Sequence, residues 1–348
     1  MSDLNELRQR AHEYLKARHW PQANETFLKL IEHDEQDEDA LIGIAASLDA
    51  LGCYESLHTL AERILHFYPN SAQGLAFKAR ALQKLERLSE ATIANDQALL
   101  LDTNLPLAWL NRSGLQLLQQ KLPEALRSAQ RAIELAPQDA RAWANKGVAL
   151  FNVQRIMEAL EALDQSLKQD PDHLFALQMK GDILCKVGRM QEVVEVTRHA
   201  LTLDPNNIPL LTQAAQALRS LEMYDALKNT AAKLLELTPT SLLGRESYMR
   251  ACRGLGQYEE ARKAIEQVIE LAPRDVRFWT LKADTLYRLD RYREAASVAE
   301  QAVRLNAEYP PARRIHEKAV RMMYQKKEKK VARPKLVQED AGSPGDPL

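Results

Sequence analysis

Glycine is scarce in this chain, 12 of 348 residues, too few to punctuate a many-stranded sheet, so helix is expected. Cysteine is scarcer. Cys53, Cys185 and Cys252 are odd in number, far apart and without a C-x-x-C pair, which excludes a disulfide framework and supplies no zinc or redox motif. No apolar run approaches the ~18 residues of a membrane span. Residues 1–20 carry Asp3, Glu6, Arg8, Arg10, Glu13, Lys16 and Arg18 where a secretory leader needs an apolar stretch, so the cytoplasm is the expected compartment. Charge of one sign is also missing. The 47 Lys and Arg balance 48 Asp and Glu to a net −1, which argues against wholesale binding to nucleic acid or membrane. The eight histidines form no H-E-x-x-H, and Gly254 with Gly256 forms no phosphate loop, so neither an enzyme nor a cofactor is expected.

What is present is a period of 34 residues. Units numbered 1 to 34 from starts at residues 4, 38, 72, 106, 140, 174, 208, 242 and 276 align like with like. Slot 32 holds Pro69, Pro137, Pro171, Pro205, Pro239 and Pro273, with Glu35, Thr103 and Ala307 as departures. Proline lacks the N–H and disfavours a helical residue before it, so this slot ends a helix. Slot 20 holds Ala23, Ala91, Ala125, Ala159, Ala261 and Ala295, with Leu57, Val193 and Leu227 elsewhere. Slot 8 is small throughout, from Ala11 to Ala283, except at Met249. Bulky residues stand at slot 4, among them Trp109, Trp143 and Trp279 with Arg245 the exception, and at slot 17, from Trp20 to Tyr292.

Slots 4, 8 and 11 share one helical face, and slots 20, 24, 27 and 28 share another after a break at slots 15 and 16. Each unit therefore reads as two antiparallel helices. Gly52, Gly188 and Gly256 fall in the break at slot 15, where a helix end takes a left-handed residue. One pair cannot bury both apolar stripes, so neighbours stack into a solenoid. On these residues the repeat resembles the tetratricopeptide repeat, whose pattern runs Trp, Leu-Gly, Tyr, Ala, Phe or Tyr, Ala, Pro. The unit from Ala140 to His173, with Trp143, Gly147, Ala159 and Pro171, is a close match, and the unit from Leu242 departs most, at Arg245 and Met249. The resemblance covers residues 4–309. It implies an all-α fold, a right-handed superhelix whose first helices line a concave groove, and binding of partner peptides or helices without catalysis.

Slots 2, 5, 6, 9, 12 and 13 lie on the first helix away from the packing slots and are expected to face that groove. They are basic or polar early on, including Arg80 and Lys84, and apolar in the middle, at Leu107, Leu110, Phe151, Phe175 and Met179. Charge returns toward the end with Arg219, Arg250, Arg253, Arg277 and Arg288 against Glu246 and Asp284. This order suits a protein partner with an apolar anchor and acidic flanks. A crowded inner wall that merely tolerates apolar side chains is the alternative. Asn111 and Asn145 stand at slot 6 of consecutive units and resemble the asparagine ladder of O-linked N-acetylglucosamine transferase, which implies a grip on a peptide backbone. Asparagine that is simply common at slot 6 explains them equally well. The acidic tails of chaperones are disfavoured as partners. The clamp for them needs Lys and Asn where Leu110 and Gly114 stand, and Lys and Arg where Phe175 and Met179 stand.

Residues 310–330 read as a basic capping helix with an apolar stripe at Ile315, Ala319, Val320, Met323 and Tyr324, and 331–348 as a disordered tail. Ten Lys or Arg against Glu317 and Glu328 in 313–335 keep a second function open, an RNA- or ribonucleoprotein-associated factor using this basic end. The first expectation remains a non-enzymatic scaffold or adaptor.

Overall fold

The computed structural model describes residues 2–332 and the side chains of residues 3–326; it is helical, with no strand among the described residues. It divides into two compact units, residues 1–183 and residues 184 onward. The first unit holds α1 (Ser2–Lys16), α2 (Trp20–Ile31), α3 (Glu38–Leu51), α4 (Tyr54–Phe67), α5 (Ala72–Lys84), α6 (Leu88–Leu101), α7 (Pro106–Leu118), α8 (Leu122–Leu135), α9 (Ala140–Asn152) and α10 (Ile156–Gln169). The division falls within α11 (Leu174–Val187). The second unit continues with α12 (Met190–Leu203), α13 (Ile208–Ser220), α14 (Tyr224–Leu237), α15 (Leu242–Gly254), α16 (Tyr258–Leu271), α17 (Val276–Arg288), α18 (Tyr292–Leu305) and α19 (Pro310–Ala332). Within each unit consecutive helices pack in pairs, which makes the chain an all-α solenoid.

Four local devices recur and explain why these residues form these elements. The small slots are the seam of each pair. Ala11, Ala45, Ala79, Ala215 and Ala283 on first helices and Ala23, Ala91, Ala125, Ala159, Ala261 and Ala295 on second helices are all fully buried. At Gly147 a Cβ would lie 2.8 Å from Leu163 Cγ, so even a methyl group forces a shift there. Slot 34 caps the first helices: Asp37, Ser71, Asp139, Asn207, Ser241 and Asp275 each accept a backbone N–H from the turn that follows. Slot 15 is left-handed in both units. Gly52, Gly188 and Gly256 sit at φ 73 to 79°, and Arg18, Glu86, Gln120, Gln154, Glu222 and Asp290 adopt φ 55 to 64° without being glycine.

The fourth device resolves the irregular unit. The indole N–H of Trp109, Trp143 and Trp279 donates to the carbonyl of Thr103, Pro137 and Pro273, six residues earlier. Arg245 does the same with its guanidinium, donating from Nε and Nη2 to the Pro239 carbonyl at 3.1 and 2.9 Å. The exception in sequence therefore keeps the bond, and Met249 is buried in a core with Ile265, Val268 and Phe278. Arg313 repeats the contact to Ala307, so α19 enters in the register of a first helix. Its Ala319 packs on Leu286, Ala295 and Ala296, and its Ile315 on Ala283 and Ala299. The helix runs to Ala332, two residues beyond its expected end, and the remainder of the expected disordered tail lies outside the described residues.

Candidate binding groove

In the first unit, side chains from three different pairs meet on one surface. The Asp49 carboxylate on α3 accepts from Arg80 Nε on α5 at 2.8 Å and from Arg141 Nη1 on α9 at 2.7 Å, the latter 92 residues away. Arg141 also holds Asp139 at 2.9 Å. Asp49, Arg80 and Arg141 occupy slots 12, 9 and 2, and only an inward-facing surface of a curved stack brings them together. The inner wall is thus a bridge of charge at this point. Asp49 is 5% exposed, Arg80 15% and Arg141 38%. Burial works against the Arg141 charge, but the two carboxylates outweigh it and raise its pKa. Burial likewise pushes the Asp139 carboxyl up, and Arg141 reverses that and holds it below the ordinary range. Lys84, whose ammonium lies 5.8 Å from the Tyr54 ring, has its pKa lowered by desolvation first and by the Arg80 charge second.

Arg80 therefore does not stand as a free cation for a partner, because Asp49 engages it. Asn111 is also reassigned. It is fully buried, and its Nδ2 donates to the Ala76 carbonyl of the preceding first helix at 2.8 Å. Asn145 donates to Ser113 Oγ at 2.8 Å and to the Leu110 carbonyl at 3.4 Å. Both asparagines reach back 35 residues to the same position of the preceding unit. They staple first helix to first helix where the sequence suggested a grip on a peptide. Leu110 is buried in a core with Ala132, Ile133 and Ala142, and Leu107 is packed half-buried beside it. Amide and aliphatic side chains at slots 5 and 6 are drawn into the seam because first helices approach closely there.

Phe175 is 45% exposed, its ring 6.4 Å from that of His173. Phe151 on α9 and Met179 on α11 are half-buried. Arg219 lies in the second unit on α13, its guanidinium 3.9 Å from Glu246 on α15. The sequence reading missed Asp49 and Arg141, although both sit in groove slots; tabulating charges of both signs at slots 2 and 12 would have found them. No helix among the described residues is long and apolar enough to cross a membrane, and no group of three His, Cys, Asp or Glu among them is placed to hold a metal ion.

The tetratricopeptide repeat family model matches residues 115–173, 250–312 and 280–347. A solved structure reported in the functional characterization of Pseudomonas aeruginosa pilF is 21% identical, covering 61% of this chain and 96% of its own, with a TM-score of 0.52. YrrB, described as a tetratricopeptide repeat protein with an unusual peptide-binding site, is 20% identical over 52% of this chain and 93% of its own, at 0.47. The Cut9–Hcn1 hetero-tetramer of APC/C is 15% identical over 86% of this chain and 59% of that one, at 0.49. No curated protein matches the chain. Together with the helix pairs, the family-model matches show tetratricopeptide repeats in this chain. Its fold is that of a protein-interaction scaffold.

Proposed function

We propose that the chain is a non-enzymatic adaptor of the cytoplasm that holds a segment of a partner protein against its first helices, with units repeating over 4–309 and α19 closing the stack. The observation that carries this reading is apolar surface left open on first helices of the first unit. Leu118 at the end of α7 is 56% exposed and Phe175 on α11 is 45% exposed, although the same helices bury Ser113, Leu177 and Leu184. Such side chains lose hydration cost only when something covers them. Phe175, Met179 and Phe151 form the apolar anchor site in the first unit; Arg219, in the second, is the arginine proposed for an acidic stretch of a partner. The basic-end alternative gains nothing from Lys326, whose ammonium lies 5.1 Å from the Tyr292 ring and donates to the Asp290 carbonyl.

The test is affinity capture on the immobilised full chain, read by mass spectrometry, beside Phe175→Asp and Leu100→Asp. Leu100 is 83% exposed on the second helix α6. Partners should be lost with Phe175→Asp and kept with Leu100→Asp; the reverse pattern, or capture no better than bare resin, sinks the reading.

A further inference from the structure

The second unit carries a cavity of roughly 460 Å³ lined by Arg219, Arg250, Arg253 and Arg288 with Tyr224 and Tyr258 among its walls. Glu222 is the one acid in the lining. Two flanking carboxylates are already engaged: Asp284 accepts from Arg253 at 2.5 Å and from Arg288 at 3.1 Å, and Glu246 stands 3.9 Å from Arg219, beyond hydrogen-bond range. What remains is a surplus of donors. Arg250 is exposed and has no ion-pair or hydrogen-bond partner among the described residues. Arg253 Nε is buried without an acceptor. Burial lowers the Arg253 pKa and Asp284 only partly restores it, as expected of a cation short of neutralisation. Gly254 borders the pocket with the Tyr224 ring packed against it, so that a Cβ there would lie 2.4 Å from the ring.

The donors are spread, not focused. They come from three successive first helices, α13, α15 and α17, whose axes are separated by roughly 10 Å each. Three helices thus span about 20 Å, the length of about six residues of extended chain at ~3.3 Å per residue. A single phosphate contacts one point of such a row, whereas alternate carboxylates of an extended segment reach all of it. We infer that this pocket receives an acidic stretch of a partner polypeptide, in extended form, along Arg219, Arg250 and the half-exposed Arg288. The inference rests on the scaffold reading and adds the address and chemistry of one contact. It also moves the acidic flank away from Arg80, which is closed by Asp49.

The experiment is fluorescence anisotropy of the full chain with a labelled peptide of six glutamates followed by Phe-Leu, beside the same peptide with six glutamines. The glutamate peptide should bind at least tenfold more tightly in low salt and lose that advantage steeply as salt rises. Arg219→Ala with Arg250→Ala should weaken it by roughly ten- to a hundredfold, about tenfold per guanidinium, and leave the glutamine peptide unaffected. Arg304→Ala, on α18 outside the pocket, should change neither. Equal binding of the two peptides, or full binding by the double variant, overturns the pocket. Displacement of the glutamate peptide by inorganic phosphate at a comparable concentration overturns the extended-segment assignment in favour of a single-anion seat. Loss of the pocket effect while lysate partners are still captured through Phe175 leaves the scaffold reading standing, so the two failures are distinguishable.

Discussion

Replacing Asp49 by Asn tests whether the charge bridge across the inner wall holds the first unit together. The change keeps the shape of the side chain and removes the charge that Arg80 and Arg141 share. Removing one member of a buried ion pair costs about 3–5 kcal/mol, because the remaining charge stays desolvated. Asp49 and Arg80 meet that description, at 5% and 15% exposure. Arg141 does so less, since 38% of its side chain reaches water and Asp139 still neutralises it. The estimate therefore falls to about 2–3 kcal/mol once water replaces part of the lost contact. At about 2–4 °C per kcal/mol for a unit of this size, the melting temperature should drop by about 5–10 °C. Calorimetry on the full chain should show the drop in one transition, and Asp49→Ala with Arg141→Ala should cost less than the sum of the singles. Glu158→Gln, which breaks the solvent-exposed pair with Arg155, serves as the control and should leave melting unchanged. A shift below 1 °C for Asp49→Asn, or additive single changes, would refute the bridge as a structural element.

Asn111→Ala with Asn145→Ala should lower the melting temperature by about 3–6 °C, from bonds worth about 0.5–1.5 kcal/mol each; unchanged melting with reduced partner capture would return the asparagines to the ligand. Burial holds the His173 imidazole below its ordinary pKa near 6.5, Asp170 offsetting only part of that. The unfolded chain then takes up the proton first, so the contribution is complete above about pH 6.5 and fades as pH falls through the native value. Melting recorded from pH 7.5 to 5.0 should show this decline, and His173→Gln should flatten it; parallel curves would count against it. Gly188→Ala should destabilise by about 1 kcal/mol through backbone strain alone, since nothing lies within 4 Å of the added Cβ. Gln154→Gly, at φ 64°, should be neutral or stabilising by up to about 1 kcal/mol, and denaturant midpoints that reverse this order would contradict the left-handed assignment.

The fold was legible because its determinants are local and recur. A proline that stops a helix and an alanine that admits a neighbour act at their own positions, and the fully buried alanines of slots 8 and 20 lie where the period put them. The left-handed residue at slot 15 was legible only where glycine announced it. At Gln154 or Glu222 the same backbone conformation is imposed by the packing of the two helices it joins, and no side-chain signal accompanies it. Arg245 shows the opposite limit: a substitution that looked disruptive conserves a donor, which a pattern of residue types does not record. The site was harder. Whether Asn111 turns outward or back to Ala76, and whether Arg80 is free or held by Asp49, depends on how far each repeat rotates on the last. That rotation is a sum of small packing differences and is not written at any one position.

Arg18, on the first turn of the first unit, donates to the Gln169 carbonyl 151 residues away and pairs with Asp170 at 2.9 Å. Repeat arrays ordinarily behave as lines, in which each element answers only to its neighbours and melting creeps inward from a frayed end. A side-chain contact between the first turn and the tenth helix's exit ties together two distant points of that line, at the modest strength of a half-exposed pair, about 0.2–1 kcal/mol. The first turn can make this pair only once residues 169 and 170 have been synthesised, so the contact closes after the repeats between them have formed. Hydrogen exchange around residues 17–19 and 169–171 should rise together in Arg18→Ala, as the two sides of one contact do and two unconnected points of a line do not.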